Sequence, residues 1–245
     1  GKSYGEIGGE ARSMHKSQGE GRPRRRGASI EYFTTLGGEA PQNSLMDGVD
    51  ISWNRIPGGK AIQEKINTII ANYQFNKPEA SVQALVELYQ AIKLVPGKSL
   101  WQDKKLAELQ ELIFTCSGLF FEATTDEEYG VLGQKMNLNV FVNKRKESNI
   151  QWEQVWMKTS ANESFDSVMS KPLATNQNNS FIKSIPIDPS KKVSQPYWLA
   201  KQQDNIGSFT VDDQMLIGQD QSAPAYIAYF KFNINGLTLT AERPV

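Results

Sequence analysis

Between residues 60 and 117, apolar side chains recur at every third or fourth position, which is the spacing of one face of an α-helix. The pattern predicts three amphipathic helices, separated by breaks at Asn76-Lys77-Pro78-Glu79 and Pro96-Gly97. Ser99 and Gln102 form a capping pattern at the start of the third helix. The predicted apolar faces consist of Ile62, Ile66, Ile69, Ile70 and Tyr73, of Val82, Leu85, Val86, Tyr89 and Ile92, and of Leu106, Leu109, Leu112, Ile113 and Cys116.

From Gly118 onward, apolar residues alternate with polar ones, which is the period of a β-strand. Asn235-Gly236 lies between two such runs and predicts a hairpin with a type I′ turn. Together the two patterns predict an α+β protein, in which a small helical bundle or connector precedes an immunoglobulin-like antiparallel β-sandwich. The predicted strands are 119–124, 135–140, 150–157, 180–187, 225–234 and 237–240.

The charge balance argues against nucleic acid and membranes as partners. The chain has 245 residues, with 27 Lys+Arg against 27 Asp+Glu. A chain without net charge has no bulk attraction to polyanions. We also expect no membrane insertion, because no apolar run reaches the roughly 18 residues that a membrane helix needs. The N-terminus has neither an initiator Met nor an apolar signal core, so we expect a piece of a longer protein.

An arginine-rich segment lies between Gly19 and Gly27. Such a cluster can contact phosphates, but no aromatic side chain interleaves these arginines, as single-strand binding would require. We therefore interpret the segment as an exposed, solvated loop. Its basic residues are Arg22, Arg24, Arg25 and Arg26.

The chain has few residues for catalysis or metal binding. One cysteine and one histidine, Cys116 and His15, exclude the usual structural zinc sites. Cys116 lies at a helical core spacing, which favours a buried apolar role over a catalytic thiol. Asp212-Asp213 is interpreted as a turn cap or a solvated pair. We expect no cofactor and no metal in this chain.

Four aromatic residues offer a second kind of chemistry, which is the stacking of sugar rings. Tyr197-Trp198, Trp152 and Trp156 could form a stacking surface, or they could pack in the core and across strands. Packing is the commoner role for rings on strands. Tyr197 and Trp198 follow a charged stretch where a loop is expected, so they are the candidate glycan contacts.

Residues 1–18 end in His15, Ser17 and Gln18, and this His-x-Ser-Gln element resembles the end of the catalytic domain of LmbE-like, or PIG-L-type, deacetylases. Ser194-Gln195-Pro196-Tyr197-Trp198-Leu199 resembles the accessory region of the large Bacteroidetes-type members. The resemblance covers most of the chain and is strongest at its two ends. It implies three segments: 1–37 as a remnant of the catalytic domain, 38–117 as a linker and helical connector, and 118–245 as the sandwich.

The resemblance also implies zinc-dependent hydrolysis of an N-acetyl group on an N-acetylglucosaminyl substrate by the parent protein, in the periplasm or outside the cell. The metal-binding motifs of that family do not occur in this sequence. We therefore expect a region that is inactive alone and that supports an upstream catalytic domain or presents glycan. The alternative is a free-standing carbohydrate-binding or adhesion module.

Overall fold

The computed structural model describes residues 2–18, 26–28, 30–97, 99–157, 164–203 and 207–245. Its contacts divide the chain into two units, Gly1–Asp50 and Ile51–Val245. The helices of the described residues are α1 (Tyr4–Ser13), α2 (Gly59–Asn72), α3 (Val82–Lys93) and α4 (Leu100–Cys116). The strands are β1 (Leu119–Thr125), β2 (Lys135–Lys144), β3 (Ile150–Met157), β4 (Phe165–Pro172), β5 (Asn179–Pro186), β6 (Ile227–Ile234) and β7 (Leu237–Pro244).

The first unit contains one helix, and local capping defines its start. The backbone N–H of Glu6 donates to Ser3 Oγ at 3.3 Å, and the N–H of Ser3 donates to Glu6 Oε2 at 3.0 Å. This reciprocal capping box pairs two backbone donors at the helix start. None of the described residues between 2 and 50 is buried. Helix α1 therefore has a well-formed start but no packed core within its own unit.

The helices of the second unit bury most of the predicted apolar faces. Ile62, Leu85 and Ile113 are all buried, and the predicted Ser99 cap is confirmed, since its Oγ accepts the backbone N–H of Gln102 at 3.1 Å. The face predictions are wrong at three positions, where the side chain is exposed to solvent. Those exposed positions are Ile70, Tyr73 and Leu112. Among the described helices, none is both long enough and apolar enough to cross a membrane.

The strands form two antiparallel sheets, which confirms the α+β class. One sheet has the order β1-β2-β5, and the other has the order β4-β3-β6-β7. The predicted hairpin at Asn235-Gly236 joins β6 to β7, with φ angles of 49° and 86° at these two residues, as a type I′ turn requires. Strand β4 was not among the predicted strands.

The helices and the sheets share one hydrophobic core. The Phe121 ring of β1 lies 5.1 Å from Phe230 and 5.0 Å from Phe232 of β6, and Phe114 of α4 lies 5.3 Å from Phe121. Arg243 of β7 places its guanidinium 4.2 Å from the centre of the Phe121 ring. Residues on both sides of position 117 therefore contribute to one continuous core of the second unit.

The strand pairings define which strand ends lie together. Pro186, at the end of β5, pairs with Lys135 at the start of β2, and Ala228, near the start of β6, pairs with Met157 at the end of β3. The chain passes from the end of β2 directly to the start of β3. The start of β2 and the end of β3 therefore lie together at the opposite end of the two sheets, with the end of β5 and the start of β6 beside them. The connection between β5 and β6, residues 187–226, starts and finishes at this end.

Candidate functional site

His15, Ser17 and Gln18 follow helix α1 directly. Residues Lys16–Gln18 form a 3-10 turn, in which the backbone N–H of Gln18 donates to the carbonyl oxygen of His15 at 3.1 Å. The side chain of His15 donates from Nδ1 to Gln18 Oε1 over 3.1 Å. All three side chains are exposed. The turn therefore brings His15 and Gln18 together at the surface of the first unit.

The side chains that this structure describes do not fit a zinc site. A catalytic zinc site needs three protein ligands, and the described residues contain no group of three His, Cys, Asp or Glu side chains that could hold a metal ion. Cys116 is buried in α4, as predicted, and this burial raises the pKa of its thiol. A raised thiol pKa disfavours the thiolate, which is the form that binds metal.

Tyr197 and Trp198 lie in the 3-10 turn Tyr197–Leu199 of the β5–β6 connection, and both are half-buried. Their rings meet edge to face, with centroids 4.9 Å apart. The Tyr197 hydroxyl donates to the carbonyl oxygen of Gln219 at 3.2 Å, and the Tyr197 N–H donates to Ser222 Oγ at 3.0 Å. These bonds attach the aromatic pair to a later part of the same connection, 22 and 25 residues further along.

The hypothesis that Trp152 contributes to a stacking surface is wrong. Trp152 has 0% exposure and stacks on Phe181 of the other sheet, with centroids 6.2 Å apart. Its indole Nε1–H donates to the carbonyl oxygen of Gln154 at 3.2 Å. A ring between two sheets cannot meet a ligand, so Trp152 has a packing role.

A β-bulge separates Trp152 from Trp156. In a regular strand, residues four apart point to the same face. Here Trp152 pairs with Phe232 and Gln154 pairs with Lys231, so Glu153 is an extra residue that has no partner in the register. The alternation of buried residues changes phase at this point. Trp156 consequently points to the outer face of the four-stranded sheet, away from the core.

Trp156 stacks on Tyr229 of β6 across that outer face. The two ring centroids are 5.3 Å apart and the planes differ by 11°. Both rings are half-buried, so part of each remains open to solvent. In the sheet register, Asp166 of β4 pairs with Trp156, and Glu242 of β7 pairs with Tyr229. One row across the sheet thus places a carboxylate on each side of two aromatic rings.

The other charged candidates have structural partners or lie outside the described residues. Asp213 caps the 3-10 turn Gln214–Leu216, since its Oδ1 accepts the N–H of Met215 at 3.0 Å. The predicted turn cap is therefore confirmed at Asp213, and Asp212 pairs with Lys201. Arg26 pairs with Glu6 at 3.2 Å. The remaining arginines of the predicted loop, Arg22, Arg24 and Arg25, lie outside the described residues.

Comparison with known proteins gives no family assignment. No protein-family model matches the sequence, and no curated protein matches it. Among solved structures, the chain is similar to the sporulation control protein Spo0M from Bacillus subtilis, at 8% identity and a TM-score of 0.30 over 52% of this chain and 48% of that one. It is also similar to the alkylpurine DNA glycosylase AlkC from Pseudomonas fluorescens, at 10% identity and a TM-score of 0.23 over 73% of this chain and 49% of that one. The chain thus spans about half the length of either structure, and neither likeness carries a functional argument.

Sequence reasoning missed Tyr229, Asp166 and Glu242 as neighbours of Trp156. Asp166 belongs to the strand that was not predicted, and the two others become neighbours only through strand pairing. In the alternating pattern of 227–234, Tyr229 falls on the opposite face of the strand from Phe230 and Phe232. This alternation was the available signal that the Tyr229 ring faces outward.

Proposed function

We propose that this chain is the non-catalytic accessory region of a zinc-dependent N-acetylglucosaminyl deacetylase-family protein of the LmbE-like type. It would support an upstream catalytic domain, which would hold the zinc, or present glycan to it, in the periplasm or outside the cell. The His15–Gln18 contact, the exposed position of that element and the resemblance at both ends of the chain support the proposal.

The observation that carries this proposal is the lack of a core around helix α1. Ile7 is 49% exposed and Met14 is 80% exposed, although both belong to the apolar side of the helix. A helix of 10 residues is marginal in water without tertiary packing. The apolar side of α1 therefore suits a larger domain that covers it, and the proposed catalytic domain is such a partner.

The immunoglobulin-like character of the two sheets is part of the same proposal. Its support is the division into three and four strands, the hairpins β1–β2, β3–β4 and β6–β7, and the pairing of β2 with the distant β5. The contacts of Phe121 with Phe230 and Phe232 join the inner faces of the two sheets, as in a sandwich. In this arrangement α4 packs beside β1, with Phe114 against Phe121.

We expect the amide hydrogens of α1 to exchange rapidly in the 245-residue chain. None of the residues Tyr4–Ser13 is buried, nor is any other described residue of the first unit, and exchange follows local opening. Helix α3 is the internal control, because it buries residues that include Val82, Leu85 and Ile92, and its amides should exchange orders of magnitude more slowly. Hydrogen–deuterium exchange read by mass spectrometry on peptides from both helices measures the difference.

A longer chain that includes the proposed catalytic domain should show strong protection of the same α1 peptide. Protection of α1 equal to that of α3 in the 245-residue chain would contradict the proposal, since the helix would then need no further domain.

A second candidate function is a free-standing carbohydrate-binding or adhesion module. The specific observation in its favour is the half-buried Tyr197–Trp198 pair: the Tyr197 hydroxyl donates to Gln219, its backbone N–H donates to Ser222 Oγ, and the Trp198 ring packs edge to face on Tyr197. Fixed aromatic rings lose little conformational entropy when they bind a ligand. In this case a Trp198→Ala substitution should abolish the response of the chain to chitooligosaccharides.

A further inference from the structure

The outer face of the four-stranded sheet has an aromatic row that the packing of the core does not need. Asp166, Trp156, Tyr229 and Glu242 lie side by side on β4, β3, β6 and β7. Four neighbouring strands cover roughly 14 Å at about 4.8 Å per spacing. In the adjacent row, Gln154, Lys231 and Thr240 are polar, and the fourth member, Val168 of β4, is an exposed apolar residue. The two rings are thus an aromatic pair on a sheet surface that carries both polar side chains and the apolar residues Val168, Ile227 and Pro244.

Hydrogen bonds and ion pairs orient some polar side chains on this face, and other polar side chains remain exposed to solvent. Gln154 Nε2 donates to Asp166 Oδ1 at 2.7 Å, which orients the carboxylate beside the Trp156 ring. Lys231 pairs with Glu153 at 3.3 Å, so the two opposite charges neutralise each other. Asp166 and Glu242 are both exposed, and neither forms an ion pair with another described residue.

The charge of the row therefore remains negative on both sides of the rings. Aromatic faces bind the apolar C–H surface of a sugar ring, and a cation near an aromatic face gains further attraction. Carboxylates next to the rings accept hydrogen bonds from hydroxyl and ammonium groups. The same carboxylates repel a sugar that bears its own carboxylate.

We propose that the row Asp166–Trp156–Tyr229–Glu242 is a binding site for a glycan with free amino groups. A pyranose packs on the solvent-exposed part of this stacked ring pair, and the two carboxylates contact ammonium and hydroxyl groups at its sides. This site is distinct from the Tyr197–Trp198 pair. The inference rests only on the glycan-presenting part of the proposed function, and the predicted lack of deacetylase activity is tested by a different assay.

The test is isothermal titration of the full 245-residue chain with three tetrasaccharides: β-1,4-linked glucosamine, cellotetraose and tetragalacturonate. We expect affinity to fall in that order, and added salt should weaken only the glucosamine tetramer. Trp156→Ala should lower the affinity for the glucosamine tetramer at least about tenfold. Trp101→Ala is the matched control, because that tryptophan is 58% exposed on α4, and it should bind as the unmodified chain does.

Two further variants keep the proposal testable if Trp156→Ala disturbs the sheet. Asp166→Asn and Glu242→Gln change charge without changing shape, and each should weaken the glucosamine tetramer a few-fold while cellotetraose changes little. The proposal is overturned if no sugar binds, if tetragalacturonate binds best, or if both charge variants bind as before. It is equally overturned if Trp198→Ala removes binding and Trp156→Ala does not, since the ligand would then sit on the β5–β6 connection.

Discussion

Replacement of Trp152 by alanine should lower the free energy of unfolding by about 3–5 kcal/mol. The ring has 0% exposure and lies between the sheets, stacked on Phe181, so the substitution leaves a cavity that two rigid sheets cannot close. Lys171 places its Nζ 5.4 Å from the ring centre, and that contact is lost as well. Urea denaturation followed by circular dichroism measures the change.

Trp101→Ala is the matched control for this substitution. Trp101 is 58% exposed, and its contact with Lys104 is on the helix surface, so its loss should change stability by less than about 0.5 kcal/mol. Equal stabilities of the two variants would show that Trp152 does not lie in the core.

Gly59→Ala should lower the free energy of unfolding of the second unit by about 1–3 kcal/mol. We expect a value near the upper end of that range. Gly59 is buried at the start of α2, and a Cβ there would overlap the carbonyl oxygen of Trp53 and lie 2.8 Å from Ile56 Cγ1. The Trp53 backbone is itself fixed, since its N–H donates to Gln63 Oε1 at 3.0 Å. The turn Trp53–Arg55 would therefore have to move away from α2. The same denaturation experiment measures this loss.

Gly130→Ala provides the comparison, because a Cβ at Gly130 meets only the end of the flexible Ile187 side chain, at 2.8 Å. Ile187 is buried, but rotation of its terminal methyl group relieves the contact without a backbone shift, so we expect a smaller loss than at Gly59, below about 1 kcal/mol. A Gly59→Ala variant as stable as Gly130→Ala would contradict the close packing of the turn on α2.

The elements with strong local patterns could be predicted from the sequence. The range 150–157 was predicted with the bounds that β3 has, and Asn235-Gly236 marked its hairpin because both residues tolerate a positive φ. The helical segments were predicted from their 3.6-residue period. In each case the information lies within one segment of chain, so no knowledge of the partners was needed.

Strand β4 could not be predicted, because its residues have no strand signal of their own. Phe165 is its one buried residue, and the rest of Phe165–Pro172 is exposed or half-buried at the edge of a sheet. Ser170 has a φ of 42°, which interrupts the regular alternation. The pairing with β3 supplies the order that the local sequence lacks.

The outward position of Trp156 in the candidate site depends on the β-bulge at Glu153, which a simple alternating pattern does not predict. Trp152 and Trp156 are four residues apart and should share a face, but the extra residue Glu153 in the bulge moves Trp156 to the outside. A bulge reflects the register between strands, which a single sequence does not contain. Sequence reasoning could therefore name the tryptophans as candidates but could not distinguish the core ring from the surface ring.

The most direct test of the account is an assay of acetate release by the 245-residue chain, incubated with Zn²⁺ and N,N′-diacetylchitobiose. The chain has one histidine and one buried cysteine, so we predict no release above that of Zn²⁺ and substrate alone. Zinc-dependent acetate release that a chelator abolishes, and that His15→Ala also abolishes, would contradict the claim that this region is inactive alone.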